Sequence, residues 1–512
     1  MISANRPQSS WHLLFILVIA ASARLYQLAA RSIWFDESFT WRLIQFPWPE
    51  IISRTAADVH PPLYYLLLNI WAIVFGSGLF SLRGFSVAVV LGLIALSYYF
   101  VLRLSQSRLA SFLAALLISL SGWHIILSQE ARMYTLGALL ALLSTYLIWL
   151  AASRPRSNWF LWLAYSLSAA ALLYTHYYGL FTLVAHAIWF IIYLLLQTRG
   201  RLGEILHAPR FWQALVSALV AIALFLPWLP ILQAQRAQVA GNFWIPPVTG
   251  WSIPDTLYRM FVGTAGPIEH WTIAGFITAL LPTIILLVIT IWLGLKSKSL
   301  VSKSALWLII LSGYLPFLAS LIISIISRPI YQDRYLIFSY TFLAMLLALW
   351  LATLRPSIIR LSLSAAAILF LIYTAWQFHL ELDFDHRPGL QAAMATIYAN
   401  HPDQVLVSSS FIYFSARHYA QERMSDTGVK LYSASGSADF AHFAGGPIIT
   451  DEDVVSNNFL NNLNSFWLVD TTGFGGSETT LPPEWQPVQR YSFPEIFDYQ
   501  GDIIIRRFVV NR

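Results

Sequence analysis

Long apolar runs separated by short polar or basic connections fill roughly the first three quarters of the chain. Runs of about 20 residues, the length that crosses the hydrocarbon of a bilayer as a helix, begin near Trp11, Gly84, Leu109, Tyr134, Trp159, Tyr178 and Phe211. Others begin near Trp271, Ser304, Tyr335 and Ile358. The pattern predicts about eleven transmembrane helices. Segment 61–75 (PPLYYLLLNIWAIVF) is apolar but short for a crossing, and Gly76-Ser77-Gly78 ends it. We read it as an interfacial or re-entrant helix.

That reading fixes a predicted orientation. With segment 61–75 off the count, the basic connections all fall on one side: Arg6, Arg103/Arg108, Arg154/Arg156, Arg199/Arg201/Arg210, Lys296/Lys298/Lys303 and Arg355/Arg360. The positive-inside rule makes this side cytoplasmic. One acid, Glu204, shares it. The acids Asp36, Glu37, Glu50, Asp58, Glu130, Asp255, Glu269 and Asp333 lie on the other side. The rule does not govern acids, so their one-sidedness points to an outward-facing polar site. The run from Trp11 lacks a signal-cleavage pattern and reads as an uncleaved first span, with the N-terminus cytoplasmic.

The pattern changes after about Phe378. Of the 25 acids, nine precede residue 381, which leaves 16 in a stretch with no membrane-length apolar run. Residues 391–399 read as a short helix, and 405–408, 466–469 and 503–510 as strands, with Gly, Ser, Asn and Asp turns between them. The expected fold is therefore a polytopic α-helical membrane protein with a small extracytoplasmic α/β domain. The membrane domain covers 1–380, with interfacial helices in a first outer loop at about 31–83; the soluble domain covers 381–512.

Composition agrees. The chain is 57% hydrophobic and 11% charged, against roughly 25% charged in soluble domains. The formal net charge of +6 is spread over short loops and forms no stripe for a nucleic acid. The absence of cysteine excludes disulfides, iron–sulfur sites and thiol catalysis. There is no Walker loop, dinucleotide fingerprint, H-E-x-x-H or G-x-S-x-G. An enzyme working outside without nucleotides needs an activated substrate delivered in the membrane, and a polyprenyl-phosphate sugar meets that need.

The outer segments hold the candidate chemistry. Asp36 and Glu37 open the first outer loop; a carboxylate there can deprotonate a hydroxyl or hold a divalent cation, or the pair can cap an interfacial helix beginning at Ser38. Asp58, His60 and Tyr64 follow in D-x-HPPLYY. Glu130, Arg132 and Tyr134 lie in QEARMY, where Glu130 and Arg132 are a solvated pair or Arg132 is a phosphate ligand. His176 and Tyr177 lie in YTHYYG, an aromatic belt or a donor to a sugar or phosphate. Arg334 and Tyr335 lie in QDRYL, where Arg328 and Arg334 suit an anionic headgroup.

These motifs, WFDES, D-x-HPPLYY, QEARMY, YTHYYG and QDRYL, resemble the polytopic GT-C glycosyltransferases over roughly residues 10–380. The branch is that of dolichyl-phosphate-mannose–protein mannosyltransferases and bacterial aminoarabinose transferases (families 39 and 83). The resemblance implies a hexosyl- or pentosyltransferase of the plasma (inner) membrane and cell envelope. It would move a sugar from a polyprenyl phosphate to a hydroxyl of protein, lipid or glycan, with inversion. It makes Asp36 the catalytic base or a metal-linked acid and Glu37 its supporting partner, with Arg132, Arg334 or a divalent cation on the phosphate. The chain departs from aminoarabinose transferases at His60-Pro61, where they carry an acid and a lysine, and at Phe39, where they carry an arginine. A flippase of lipid-linked sugars is the main rival, but acids gathered at one boundary and the lack of repeated halves speak against it. A noncatalytic scaffold leaves the outward acids unexplained.

Overall fold

The computed structural model describes residues 11–154, 158–239, 245–262, 270–296, 300–381, 389–423, 428–473, 476–495 and 501–510. Arg6, Arg156, Glu269 and Lys298 of the charge pattern lie outside these residues. In chain order the first helices are α1 (Trp11–Leu25), α2 (Phe35–Leu43), α3 (Trp48–Ala57), α4 (Leu63–Phe75), α5 (Leu79–Ser105), α6 (Arg108–Leu120), α7 (Gly122–Ser128), α8 (Tyr134–Ser153), α9 (Trp159–Leu173) and α10 (Gly179–Gln197). The chain divides into two compact units, 1–26 with 86–379 and 27–85 with 380–512. The first outer loop thus clusters with the C-terminal residues.

The membrane unit carries the apolar helices. Among the described residues eight helices are long and apolar enough to cross a membrane, matching the expected runs from Gly84, Tyr134, Tyr178, Phe211, Trp271, Ser304, Tyr335 and Ile358. The run from Leu109 is broken: α6 and α7 meet at 61° and together make a ninth span. The remaining two, α1 and α9, have 15 residues each, about 22 Å of helix at 1.5 Å per residue. The protein is therefore a multi-pass membrane protein. Helix Ile337–Thr353 is its centre, with 78% of its apolar window buried against 17% for Ser357–Gln377 at the edge. Gly137 on α8 makes the central packing close: a Cβ there would sit 2.5 Å from the Phe338 ring.

The second unit joins α2, α3 and α4 to a six-stranded sheet of order β3-β2-β1-β4-β6-β5, with β1 Val405–Val407, β2 Val429–Tyr432, β3 Val454–Val455, β4 Ser465–Thr471, β5 Trp485–Pro494 and β6 Asp502–Val510. The β1–β2, β2–β3 and β1–β4 pairs are parallel, and β6 runs antiparallel to β4 and β5. All of β1 is buried, as parallel strands covered on both faces are. Leu406, Phe466, Leu468, Trp485 and Phe508 form the core. The three strands expected from sequence are present, as is the helix at 391–399, which begins at Gly389. β2, β3, β5 and helix Ser410–Arg423 were not legible: β5 alternates weakly and is mostly exposed, which mutes the pattern of a half-buried strand. Helix α4 has 13 residues, two fewer than α1 and α9.

Candidate active site

In the loop unit the two adjacent acids have different surroundings. Helix α2 begins at Phe35, three residues before the expected Ser38, so Asp36 and Glu37 both stand in its first turn, where the helix dipole favours negative charge. The N-cap residue, Trp34, provides no side-chain cap. Ser38 and Thr40 turn back to the carbonyls of Phe35 and Asp36 at 2.9 and 2.8 Å. Glu37 is fully buried and accepts two hydrogen bonds from Arg83, Nε at 2.9 Å and Nη2 at 2.7 Å. Arg83 also donates to the carbonyls of Leu28, Arg31 and Ser32 at 2.8, 3.0 and 3.2 Å. The fork geometry of guanidinium and carboxylate makes this a strong, directional pair. It fixes the turn that carries Asp36, whose side chain sits at a half-buried position.

Asp58 closes α3 and is nearly buried. Its Oδ2 lies 2.9 Å from His60 Nδ1. His442, on the short 3-10 turn His442–Ala444, feels both: burial lowers its pKa most, Asp58 raises it and His60 lowers it. Tyr64 is fully buried and packs against Tyr65 and Phe85. Arg54 is tied to Glu50 Oε2 at 3.0 Å and to the carbonyl of Pro447 at 2.8 Å, with its guanidinium over the Phe46 ring.

In the membrane unit a break in a span delivers the next motif. Ser121 is extended, ends α6 and caps α7 by accepting from the His124 N–H at 3.2 Å. The break strips carbonyls at the end of α6 of their helical donors. Arg24, fully buried on α1, supplies replacements: Nη1 donates to Ser119 at 2.8 Å and Nη2 to Ile118 at 3.2 Å. Gln129, after α7, donates to the carbonyls of Arg24 and Tyr26 at 2.9 and 3.0 Å. Ser86 donates to the Glu130 carbonyl at 2.7 Å. The turn bearing Glu130 and Arg132, both buried, is thus held from α1 and α5.

Tyr134, His176 and Tyr335 come together. His176 lies 4.8 Å from the Tyr335 ring, 6.5 Å from Tyr134 and 5.4 Å from Phe338, and Tyr134 is 6.2 Å from Tyr335. His176 Nδ1 accepts the Tyr178 N–H at 3.1 Å, so a neutral ring carries its proton on Nε2. Tyr177 turns aside, its hydroxyl donating to Gln235 and accepting from Trp228 Nε1. Arg334 opens the 3-10 turn Asp333–Leu336, and its N–H donates to Asp333 Oδ1 at 2.7 Å. Asp333 Oδ2 accepts from Arg259 at 2.7 Å. Tyr331 binds the Ser252 carbonyl and Thr256, and burial pushes its hydroxyl pKa up, so it remains a donor.

Sequence reasoning missed Arg83, Arg24, Arg259 and Gln129 as supports. Arg24 and Arg83 had a signal: each is a single cation near one end of an apolar run. Among the described residues no three His, Asp or Glu side chains gather to hold a metal ion. Glu37, beside Asp36, is committed to Arg83.

Neither a protein-family profile nor a curated protein matches the chain. Solved structures do. ArnT from Cupriavidus metallidurans bound to undecaprenyl phosphate is 13% identical, with a TM-score of 0.57 over 97% of this chain and 98% of that one. Its apo state gives 0.58 over 96% and 97% at the same 13% identity. The archaeal oligosaccharyltransferase AglB from Archaeoglobus fulgidus, in complex with an inhibitory peptide and a dolichol-phosphate, is 14% identical over 90% of this chain and 69% of that one, with a TM-score of 0.44. The ArnT likeness runs through both the apolar helices and the C-terminal sheet, so the fold of this chain is the GT-C fold.

Proposed function

We propose that this protein is a membrane glycosyltransferase that moves a sugar from a polyprenyl-phosphate donor to a hydroxyl acceptor on the extracytoplasmic face. The unequal surroundings of the two adjacent acids carry the reading. Glu37 has both oxygens on a buried guanidinium and serves as an anchor; Asp36, one residue earlier in the same turn, is half-buried and takes the reacting role. The likeness to ArnT bound to undecaprenyl phosphate supports a lipid-phosphate donor over a flippase.

In this mechanism Asp36 takes the proton of the acceptor hydroxyl as its oxygen bonds to the anomeric carbon. The bond from that carbon to the phosphate oxygen breaks, and its electrons leave with the polyprenyl phosphate. A single displacement inverts the anomeric centre. Arg132 and Arg334 neutralise the departing phosphate, while Glu130, Tyr134, His176 and Tyr335 bound the donor's sugar and Tyr177, turned to Gln235 and Trp228, stands behind them. Asp58, His60 and Tyr64 hold the acceptor side. Residues 1–380 form the transferase domain in the inner membrane with the N-terminus cytoplasmic, and 381–512 lie outside.

The test is to incubate purified protein with a panel of polyprenyl-phosphate sugars and acceptors bearing hydroxyls. One donor should be consumed, releasing polyprenyl phosphate and a glycoside of inverted configuration. Movement of the intact donor across vesicle bilayers, without any cleavage, would overturn the assignment in favour of the flippase.

A further inference from the structure

Three helices of the membrane unit meet on a single imidazole. His186 on α10 and Thr145 on α8 are fully buried, and Tyr165 on α9 is nearly so. His186 Nε2 lies 2.8 Å from Thr145 Oγ1, and its Nδ1 lies 3.3 Å from the Tyr165 hydroxyl. We infer that His186 is a positioning residue for the donor side of the site, setting the spacing at which Tyr134 and His176 meet; this rests on the transferase reading and deepens it.

The series of hydrogen bonds has one direction. A hydroxyl carries one proton, and that of Thr145 goes to the Ala141 carbonyl at 2.7 Å. Towards His186 the Thr145 oxygen can therefore only accept, so Nε2 bears the proton of the neutral ring. Nδ1 is then the acceptor, and the Tyr165 hydroxyl donates to it. Every N–H and O–H of the three side chains is satisfied, as buried polar groups require.

The place of the series in the fold gives it a use. α8 begins at Tyr134, α9 ends at Leu173 and α10 begins at Gly179, so the three helices lead to the QEARMY turn and to both sides of the YTHYYG turn. His186 lies seven residues beyond Gly179, Tyr165 eight before Leu173 and Thr145 eleven beyond Tyr134. At 1.5 Å per residue these are depths of roughly 10–17 Å, so His186 acts through the helices and not by contact with a sugar. Holding the helices together does not by itself call for an imidazole. Farther from the turns they already share an apolar cluster that includes Ile148, Ala152, Trp162, Trp189 and Phe190. In a bilayer, apolar faces gain little by choosing a helix over lipid, so such packing leaves sliding and rotation cheap. One ring bonded to both neighbours is directional and fixes them. His176 sits 6.5 Å from Tyr134 and 4.8 Å from Tyr335, and a slide by one residue's rise, about 1.5 Å, would alter both.

The experiment uses the full chain in nanodiscs with nitrogen-15-labelled histidine. NMR of the ring nitrogens should show His186 protonated at Nε2 alone, its signal assigned by its loss in His186→Gln. With the polyprenyl-phosphate sugar that the donor panel shows to be consumed, His186→Leu should raise the donor KM about tenfold and leave kcat within about twofold. It should also shift the His176 ring signals. His186→Gln, whose amide offers a donor and an acceptor, should return both readouts to near wild type. Thr145→Val removes the acceptor of the Nε2 proton; it should move that proton to Nδ1, where the Tyr165 oxygen can accept it, and raise KM about threefold. A proton on Nδ1 in the wild type would overturn the positioning role, as would His176 signals and a KM untouched by His186→Leu, or a kcat that falls as far as KM rises. If His186→Leu fails to fold, Thr145→Val decides. His176 signals that follow His186 in a protein with no transfer activity would sink the transferase reading and leave the positioning of the turns standing. Transfer with a KM and His176 signals indifferent to His186 would do the reverse.

Discussion

Two buried arginines, Arg83 in the loop unit and Arg24 in the membrane unit, are held in opposite ways. In the loop unit Arg83 meets Glu37, Arg417 meets Asp453 and Arg506 meets Asp470. In the membrane unit Arg24 is fully buried and is held by the carbonyls of Ala20, Ile118 and Ser119. A broken helix supplies acceptors without adding a second charge to the apolar interior, where each desolvated ion costs several kcal/mol. At Arg83 an ion pair gives directional rigidity; at Arg24 an interrupted backbone does the same work. Both devices end on a motif turn, WFDES in one unit and QEARMY in the other.

The first way to sharpen that contrast is within the loop unit, between the anchoring and the reactive acid. Asp36→Asn should lower sugar transfer about 100-fold or more with no loss of thermal stability, measured as turnover and unfolding midpoint on the same preparation. Normal turnover would remove Asp36 from the chemistry. Glu37→Gln should do the converse and destabilise the loop unit by about 3–5 kcal/mol, because Arg83 is left buried without its counter-charge. Replacing both, Glu37→Leu with Arg83→Met, should recover much of that stability; a double variant as unstable as the single one would show that the pair is not the source.

A smaller effect is expected across the break. Arg24→Met removes the donors to Ile118 and Ser119 and should destabilise the membrane unit by about 2 kcal/mol. It should also raise the KM for the donor more than it lowers kcat, since the end of α6 that leads through α7 into the QEARMY turn loses its support. Equal changes in both would count against a positioning role.

The smallest effect concerns pH. The pKa of His442 is held below its ordinary value, so between its folded value and about 6.5 the unfolded chain binds the proton more readily. Stability of the loop unit should therefore fall as pH drops below about 6.5, with Asp58 moderating the slope and His60 steepening it. His442→Gln should flatten it, seen in unfolding midpoints from pH 7.5 to 5.5.

Apolar run length and turn chemistry determined the architecture by themselves. Each of the eleven runs is helical, and the C-terminal residues form a sheet. These are local properties: a run of apolar side chains long enough for the hydrocarbon folds as a helix whatever its neighbours do. Which of two adjacent acids is buried, which carbonyls receive Arg24, and that 27–85 clusters with 380–512 were decided only by tertiary packing. Such partners lie far apart in the sequence, Glu37 and Arg83 by 46 positions and Arg24 and Ser119 by 95, and no pattern of period two or 3.6 reports on a contact at that range.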